Sequence, residues 1–259
     1  RGNGSKYISG KWVFGKPHGP VQFYFPDNGL LQYEGGLKKM DDGGFVFQGQ
    51  GTLYNQTGQS VYQGLWEDGT RSGNGTAWLE DGSIYSGNWV DDYPDGKGTY
   101  LFPDGTEYEG GFILGKKHGQ GTFKEADGFV SYDGEWKDGQ RFGRGRVNKR
   151  DSSSYNGDWL DGKPHGKGMF TYPDGRVYTG TMKQGLRQGL GELRRSDGSI
   201  AYEGEWDRNL RHGKGKAYSA SGLIKFDGDF FEGYQSGTGS EYRDDGTLYY
   251  QGSWKQNLK

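Results

Sequence analysis

The chain has 259 residues, a formal net charge of -2 and no cysteine, so disulfides and cysteine-based zinc sites are excluded and no global basic footprint for nucleic acid exists. Only 30% of residues are hydrophobic, mean hydropathy is -1.00, and no apolar run approaches the length of a membrane-spanning helix. Such a chain would tend towards disorder were it not for its 8 Trp, 19 Tyr and 14 Phe, which supply more than half of the hydrophobic residues and predict a thin, aromatic core.

In chain order, Gly2-Asn3-Gly4 comes first and matches a Gly-x-Gly pair that returns later as Gly73-Asn74-Gly75. A first irregular copy of a longer pattern then has Ile8 and Trp12. A second, Tyr33-Glu34-Gly35-Gly36-Leu37, is followed by an insertion between Lys38 and Gln48, ahead of Gly49-Gln50-Gly51. From Tyr62 the pattern is regular. Its first position is Tyr62, Tyr85, Tyr108, Tyr132, Tyr155, Tyr178, Tyr202, Phe226 and Tyr250, at spacings of 23 or 24 residues. The fifth position is Trp66, Trp89, Phe112, Trp136, Trp159, Met182, Trp206, Phe230 and Trp254, apolar throughout. A short fixed period predicts a stacked array rather than a globule with one central core. The glycines do not recur at every third residue and Pro numbers only 7, which excludes collagen. Repeat copies are read as starting near residues 8, 33, 62, 85, 108, 132, 155, 178, 202, 226 and 250 of one continuous array over residues 1–259. Both chain ends fall inside a copy, so the expectation is a segment of a longer repeat-bearing chain.

Each copy reads as a β-hairpin. Tyr155, Gly157 and Trp159 alternate along one strand and share a face. The stretch Asp161-Gly162-Lys163-Pro164-His165-Gly166 reads as a turn, and Gly168-Met169-Phe170-Thr171-Tyr172 as a second strand. Pro173-Asp174-Gly175 is a tight-turn signal leading to the next copy, echoed at Asp81-Gly82, Asp104-Gly105, Asp127-Gly128, Asp197-Gly198 and Asp245-Gly246. The Gly at the third position is expected to let a neighbouring ring lie across the strand. About ten such hairpins at ~4.8 Å per strand would extend to roughly 100 Å.

The motif Tyr-x-Gly-x-Trp-x-x-Gly-x-x-His-Gly-x-Gly, complete from Tyr155 to Gly168, resembles the MORN repeat (membrane occupation and recognition nexus), and the resemblance covers essentially the whole chain. It implies an all-β, elongated, twisted single-sheet solenoid of about ten stacked β-hairpins with a groove lined by aromatics. It also implies scaffolding in cytoskeletal, ciliary or membrane-apposed assemblies, often as dimers, sometimes with a partner helix in the groove. Arrays of this family also occur beside methyltransferases, lipid kinases and exchange factors, and no such catalytic domain is visible in this sequence. Asp92 and Asn209 depart from the pattern by replacing the turn glycine, and Phe226 and Phe230 replace Tyr and Trp.

The candidate partner groove is the aromatic row Tyr62, Trp66, Tyr85, Trp89, Tyr108, Phe112, Tyr132, Trp136, Tyr155, Trp159, Tyr178, Tyr202 and Trp206, which also serves to hold the copies together. The candidate contact for anionic lipid is the basic stretch Arg141, Arg144, Arg146, Lys149 and Arg150, with a solvated strand face as its plain alternative. His18, His118, His165 and His212 share one repeat position, and the last three lie two copies apart, ~20 Å for four strands. They are therefore expected to be turn residues and not metal ligands. The Asp-Gly carboxylates have turn roles, and Gly119-Gln120-Gly121 lacks the helix that a phosphate loop needs. The combined expectation is a non-enzymatic scaffold without cofactor or metal that binds a protein partner, with homodimerisation through a terminal copy as a further possibility. Its expected setting is cytoplasmic, cytoskeletal or ciliary. The alternatives are a membrane-apposed module that binds anionic phospholipid, or the regulatory array of a larger enzyme.

Overall fold

A computed structural model describes residues 7–259; Gly2-Asn3-Gly4 lies outside the described residues. The chain divides into two compact units, one running to Val130 with Lys137–Gly139 added, the other made of Ser131–Trp136 and Gln140–Lys259. The first unit carries β1 (Ile8–Val13), β2 (Lys16–Tyr24), β3 (Leu31–Lys39), β4 (Phe45–Tyr54), β5 (Ser60–Glu67), β6 (Thr70–Trp78), β7 (Ile84–Val90), β8 (Tyr93–Leu101), β9 (Glu107–Ile113) and β10 (Lys116–Lys124). Most of β11 (Val130–Lys137) belongs to the second unit. That unit continues with β12 (Gln140–Asn148), β13 (Ser154–Leu160), β14 (Lys163–Thr171), β15 (Val177–Lys183), β16 (Leu186–Arg194), β17 (Ile200–Asp207), β18 (Leu210–Tyr218), β19 (Ile224–Phe231), β20 (Tyr234–Tyr242) and β21 (Leu248–Trp254). No helix occurs among the described residues.

Within each unit every strand pairs antiparallel with its successor. In the first unit this holds from β1 to β10. In the second it holds from β12 to β21. Glycines face one another across successive strands: Gly51 with Gly64, Gly64 with Gly75, Gly75 with Gly87 and Gly87 with Gly98. The same line in the second unit includes Gly157, Gly168, Gly180 and Gly191.

The turn within each hairpin is shorter than the sequence suggests. Only Asp161 and Gly162 turn, and Lys163–Gly166 already belong to β14. Both turn residues have positive φ, 49° and 75°, the geometry that matches a two-residue turn to the twist of its strands. The surplus residues are absorbed by a bulge, where Gly166 takes φ of 62° between the Gly157–Gly168 and Trp159–Pro164 pairs. The insertion after Lys38 extends its hairpin as paired strand, with Lys38 opposite Val46 and Lys39 opposite Phe45, and closes in a turn over Met40–Gly44.

Candidate partner-binding faces

The aromatic row forms the core. Tyr62, Tyr85, Tyr108, Tyr132, Tyr155, Tyr178 and Tyr202 are at most 2% exposed, and Trp66, Trp89, Phe112, Trp136, Trp159 and Trp206 at most 6%. All thirteen candidate groove residues are thus packed inside their units. This corrects the expectation that they line an open surface.

The packing follows from the repeat. Each Tyr ring lies over the two glycines that face one another beside it, and its hydroxyl donates to the carbonyl three residues on. Tyr62 Oη reaches Leu65 O at 2.9 Å, and Tyr178 Oη reaches Thr181 O at 2.9 Å. A Cβ on Gly64 or Gly75 would sit 2.5 or 2.2 Å from Tyr62 Oη, which is why the sequence keeps glycine there. Each Trp fits edge-on between two such rings. Trp89 lies 5.0 Å from Tyr85 and 5.4 Å from Tyr62, near perpendicular to both. Its indole Nε1 donates to Gly75 O of the preceding copy at 3.1 Å, and Trp159 and Trp206 do the same to Gly145 O and Gly191 O. Burial pushes the phenols of Tyr62, Tyr108, Tyr155 and Tyr178 up to about 12, and those of Tyr85 and Tyr202 further still.

A position that the sequence reading missed covers these rings wherever it is cationic. It lies two residues before the first glycine of Gly-x-Gly and is occupied by Arg71, Pro94, Lys117, Arg141, Pro164, Arg187, Arg211 and Gln235. The guanidinium of Arg71 lies 4.2 Å from the Trp89 ring centre, that of Arg187 4.0 Å from Trp206, and that of Arg211 5.0 Å from Phe230. Lys117 Nζ sits 4.8–5.0 Å from the rings of Phe102, Tyr108 and Phe123. In the lengthened hairpin Phe47 takes this place, stacked on Tyr33 at 3.8 Å and edge-on to Trp66. Burial lowers the pKa of Arg187 and Arg211 from the ordinary arginine value. The recurrence of Arg, Lys or Pro at one offset was the available signal.

Beyond the caps, the same face shows half-buried rings at and just past the second strand of some copies. Tyr100 and Phe102 are in contact at 4.6 Å in the first unit, as are Phe170 and Tyr172 at 4.7 Å in the second. These rings and the capping cations, not the buried Tyr–Trp row, form the accessible surface of that face.

The basic stretch does not form one patch. Arg141 is turned onto the aromatic face, 4.9 Å from the Tyr132 ring centre and 5.3 Å from that of Trp159. Arg144 projects from the other face and pairs with Asp158 at 3.1 Å. Arg146 donates to Asn148 Oδ1, and Lys149 and Arg150 are exposed at the following turn. Strand alternation, interrupted by the bulge at Gly143, separates Arg141 from Arg144 and Arg146.

The acids have local roles. On the polar face Glu135, Asp158, Glu205 and Asp229 accept the backbone N–H just past each bulge glycine, from Arg144, Lys167, Lys214 and Thr238. In the inter-copy turns Asp104, Asp151, Asp197 and Asp245 accept the hydroxyl and N–H of the residue two further on, which holds each carboxyl below its ordinary range. No cluster of three His, Cys, Asp or Glu able to hold a metal occurs among the described residues.

With this architecture described, the family assignment is direct. A model of the MORN repeat matches residues 9–30, 62–84, 85–107, 108–129, 132–147, 155–175, 178–200, 202–224, 226–248 and 250–259. The chain belongs to the MORN repeat family. The copy at Tyr33, lengthened by the insertion, falls outside these matches, although Tyr33 is as fully buried as its counterparts. Similar solved structures include the wild-type TCP10 domain of Danio rerio CPAP in complex with a peptide of Danio rerio STIL. It is 14% identical with a TM-score of 0.34, over 84% of this chain and 98% of that one. Another is the SAS-4 (dCPAP) TCP domain in complex with a proline rich motif of Ana2 (dSTIL) of Drosophila melanogaster, 13% identical with a TM-score of 0.36, over 66% of this chain and 90% of that one. At those TM-scores neither likeness carries an inference about ligands. No curated protein matches the chain.

Proposed function

We propose that this chain is a non-catalytic scaffold that holds a partner protein, as a helix or extended segment, against the aromatic face of its repeats. The observation that carries this reading is the combination of half-buried rings with stacked cations on that face, as at Phe170, Tyr172 and Arg187. Rings and guanidinium groups of this kind are enriched where proteins bind one another. A cytoplasmic, cytoskeletal or ciliary setting belongs to the same proposal and rests on the family resemblance. So does self-association. The anionic-membrane alternative has less support, because Arg141 faces away from Arg144.

Site-specific photocrosslinking tests the reading. A benzophenone amino acid replaces Tyr172 on the aromatic face or, separately, Thr179 on the polar face of the same unit. A single protein adduct formed from position 172 and absent from position 179 is the expected result. Equal labelling from both faces, or none from position 172, would overturn it.

A further inference from the structure

Trp78 stands apart from the other tryptophans. Seven of the eight occupy the fifth repeat position, and Trp78 alone does not. Its neighbour Ala77 is buried opposite Tyr85 in the core, so Trp78 projects from the polar face, where it is half-buried beside Ile84. It walls a depression of about 890 Å³ between the turns Asn55–Gln59 and Leu79–Ser83. That is within the usual range for small-molecule sites.

The repeat supplies an internal control for a second residue of this depression. At the matching turns Thr106, Ser153, Ser199 and Thr247 each donate their hydroxyl to the turn aspartate. Ser83 gives Asp81 only its backbone N–H. Its Oγ is buried without any hydrogen-bond partner, in a residue 1% exposed that lines the depression. An unpaired buried hydroxyl is costly unless a ligand or water completes it. Gln59 spends its Oε1 on Asn55 and Thr57, which leaves its amide N–H₂ to donate, and Glu80 adds an exposed carboxylate at the rim.

We propose that this depression is a binding site for a neutral saccharide of one or two rings. The indole of Trp78, with Val61 and Ile84, offers an apolar wall for the C–H face of a pyranose. Gln59 and Glu80, both exposed, supply the donor and acceptor that vicinal hydroxyls require, above the buried Ser83. The lining contains no lysine or arginine and does contain a carboxylate, which disfavours phosphates and other anions.

The test uses the full chain labelled with fluorotryptophan and followed by fluorine NMR, with the Trp78 resonance identified by its loss in Trp78→Phe. Cellobiose, maltose and diacetylchitobiose are titrated in turn, with sorbitol as a linear polyol control. A saturable shift of the Trp78 resonance by at least one disaccharide and none by sorbitol is expected. Gln59→Ala, an exposed change that leaves the fold intact, should weaken the responding sugar roughly tenfold. Ser83→Ala should leave the thermal unfolding midpoint unchanged or raised, since its buried Oγ has no partner to lose. The proposal is overturned if no disaccharide shifts the resonance, if sorbitol shifts it equally, or if Gln59→Ala leaves affinity unchanged.

Discussion

Arg187 clasps Asn209 in the next copy of the repeat. Its Nη2 donates to the Asn209 carbonyl at 2.6 Å, and its backbone N–H donates to Asn209 Oδ1 at 2.9 Å, while the guanidinium lies over Trp206. Arg71 and Asp92 repeat the arrangement in the first unit, and Gln235 donates its N–H to Asn257 in the same way. Asp92, Asn209 and Asn257 all have positive φ, 68°, 71° and 67°, in the place where other copies use glycine. Asp and Asn are the side chains that tolerate this conformation best, and here each also accepts a hydrogen bond from the preceding copy. These departures from the motif are therefore inter-copy links, not erosion of it.

Arg187→Ala should lower stability by about 1–3 kcal/mol, through loss of the cation–aromatic contact and the bond to the Asn209 carbonyl. Asn209→Gly should cost less than about 1 kcal/mol, because the lost acceptor is offset by an easier positive φ. In the double mutant the backbone N–H of Arg187 has already lost its acceptor, so the two losses should be separable in a cycle of urea midpoints. Equal midpoints for Arg187→Ala and wild type would show that the clasp contributes nothing.

The glycine line predicts a sharper contrast. Gly75 has an ordinary backbone conformation, yet its Cβ would sit 2.2 Å from Tyr62 Oη and 2.5 Å from Cζ. Gly75→Ala should destabilise the first unit by about 3 kcal/mol or more, as an overpacked core does. Tyr62→Phe should not rescue it, because Cζ remains. Gly58→Ala meets open space and is strained only by its φ of 83°, at a cost of about 1 kcal/mol. Comparable unfolding midpoints for the two alanine variants would refute this account of the glycine line.

Much of the fold was legible because glycine and aromatic positions are fixed by contact. Tyr155 needs Gly157 and Gly168 beneath its ring, so the motif itself records the packing. Exposure was not legible. Alternation shows that Tyr155 and Trp159 share a face, but not that a cation such as Arg141 would close over that face. The bulge at Gly166 was also hidden, since a glycine before Gly-x suits a long turn as readily as a short turn followed by a bulge. The basic run from Arg141 to Arg150 looked like one patch because sequence adjacency conceals the alternation of faces.

That separation of faces has a measurable consequence. Arg141→Ala should destabilise the second unit by about 1–2 kcal/mol, since it uncovers Tyr132 and Trp159. Arg144→Ala removes only an ion pair whose arginine side chain is 76% exposed, and should cost no more than about 0.5 kcal/mol. The second effect should vanish in high salt and the first should persist. A salt-sensitive loss at Arg141 would mean that its role is charge pairing instead of packing.

The buried phenols predict how the array fails in alkali. Tyr62, Tyr108, Tyr155 and Tyr178 have pKa values pushed up to about 12 by burial, against 10.0 for the free side chain. The native state thus holds protons that the unfolded chain releases first. Their contribution to stability is complete below pH 10 and is lost progressively as pH rises towards 12. Several such residues act on the same units, so tyrosinate absorbance from this set should appear together with loss of the β-sheet circular dichroism. Tyr178→Phe should cost about 1 kcal/mol near neutrality, from the lost bond to Thr181 O, yet lose less stability between pH 10 and 12. Phe226, fully buried at the equivalent position, shows that the ring alone is accommodated there. If all nineteen tyrosines ionise near pH 10 with the dichroism intact, the rings are not sealed in as the packing requires.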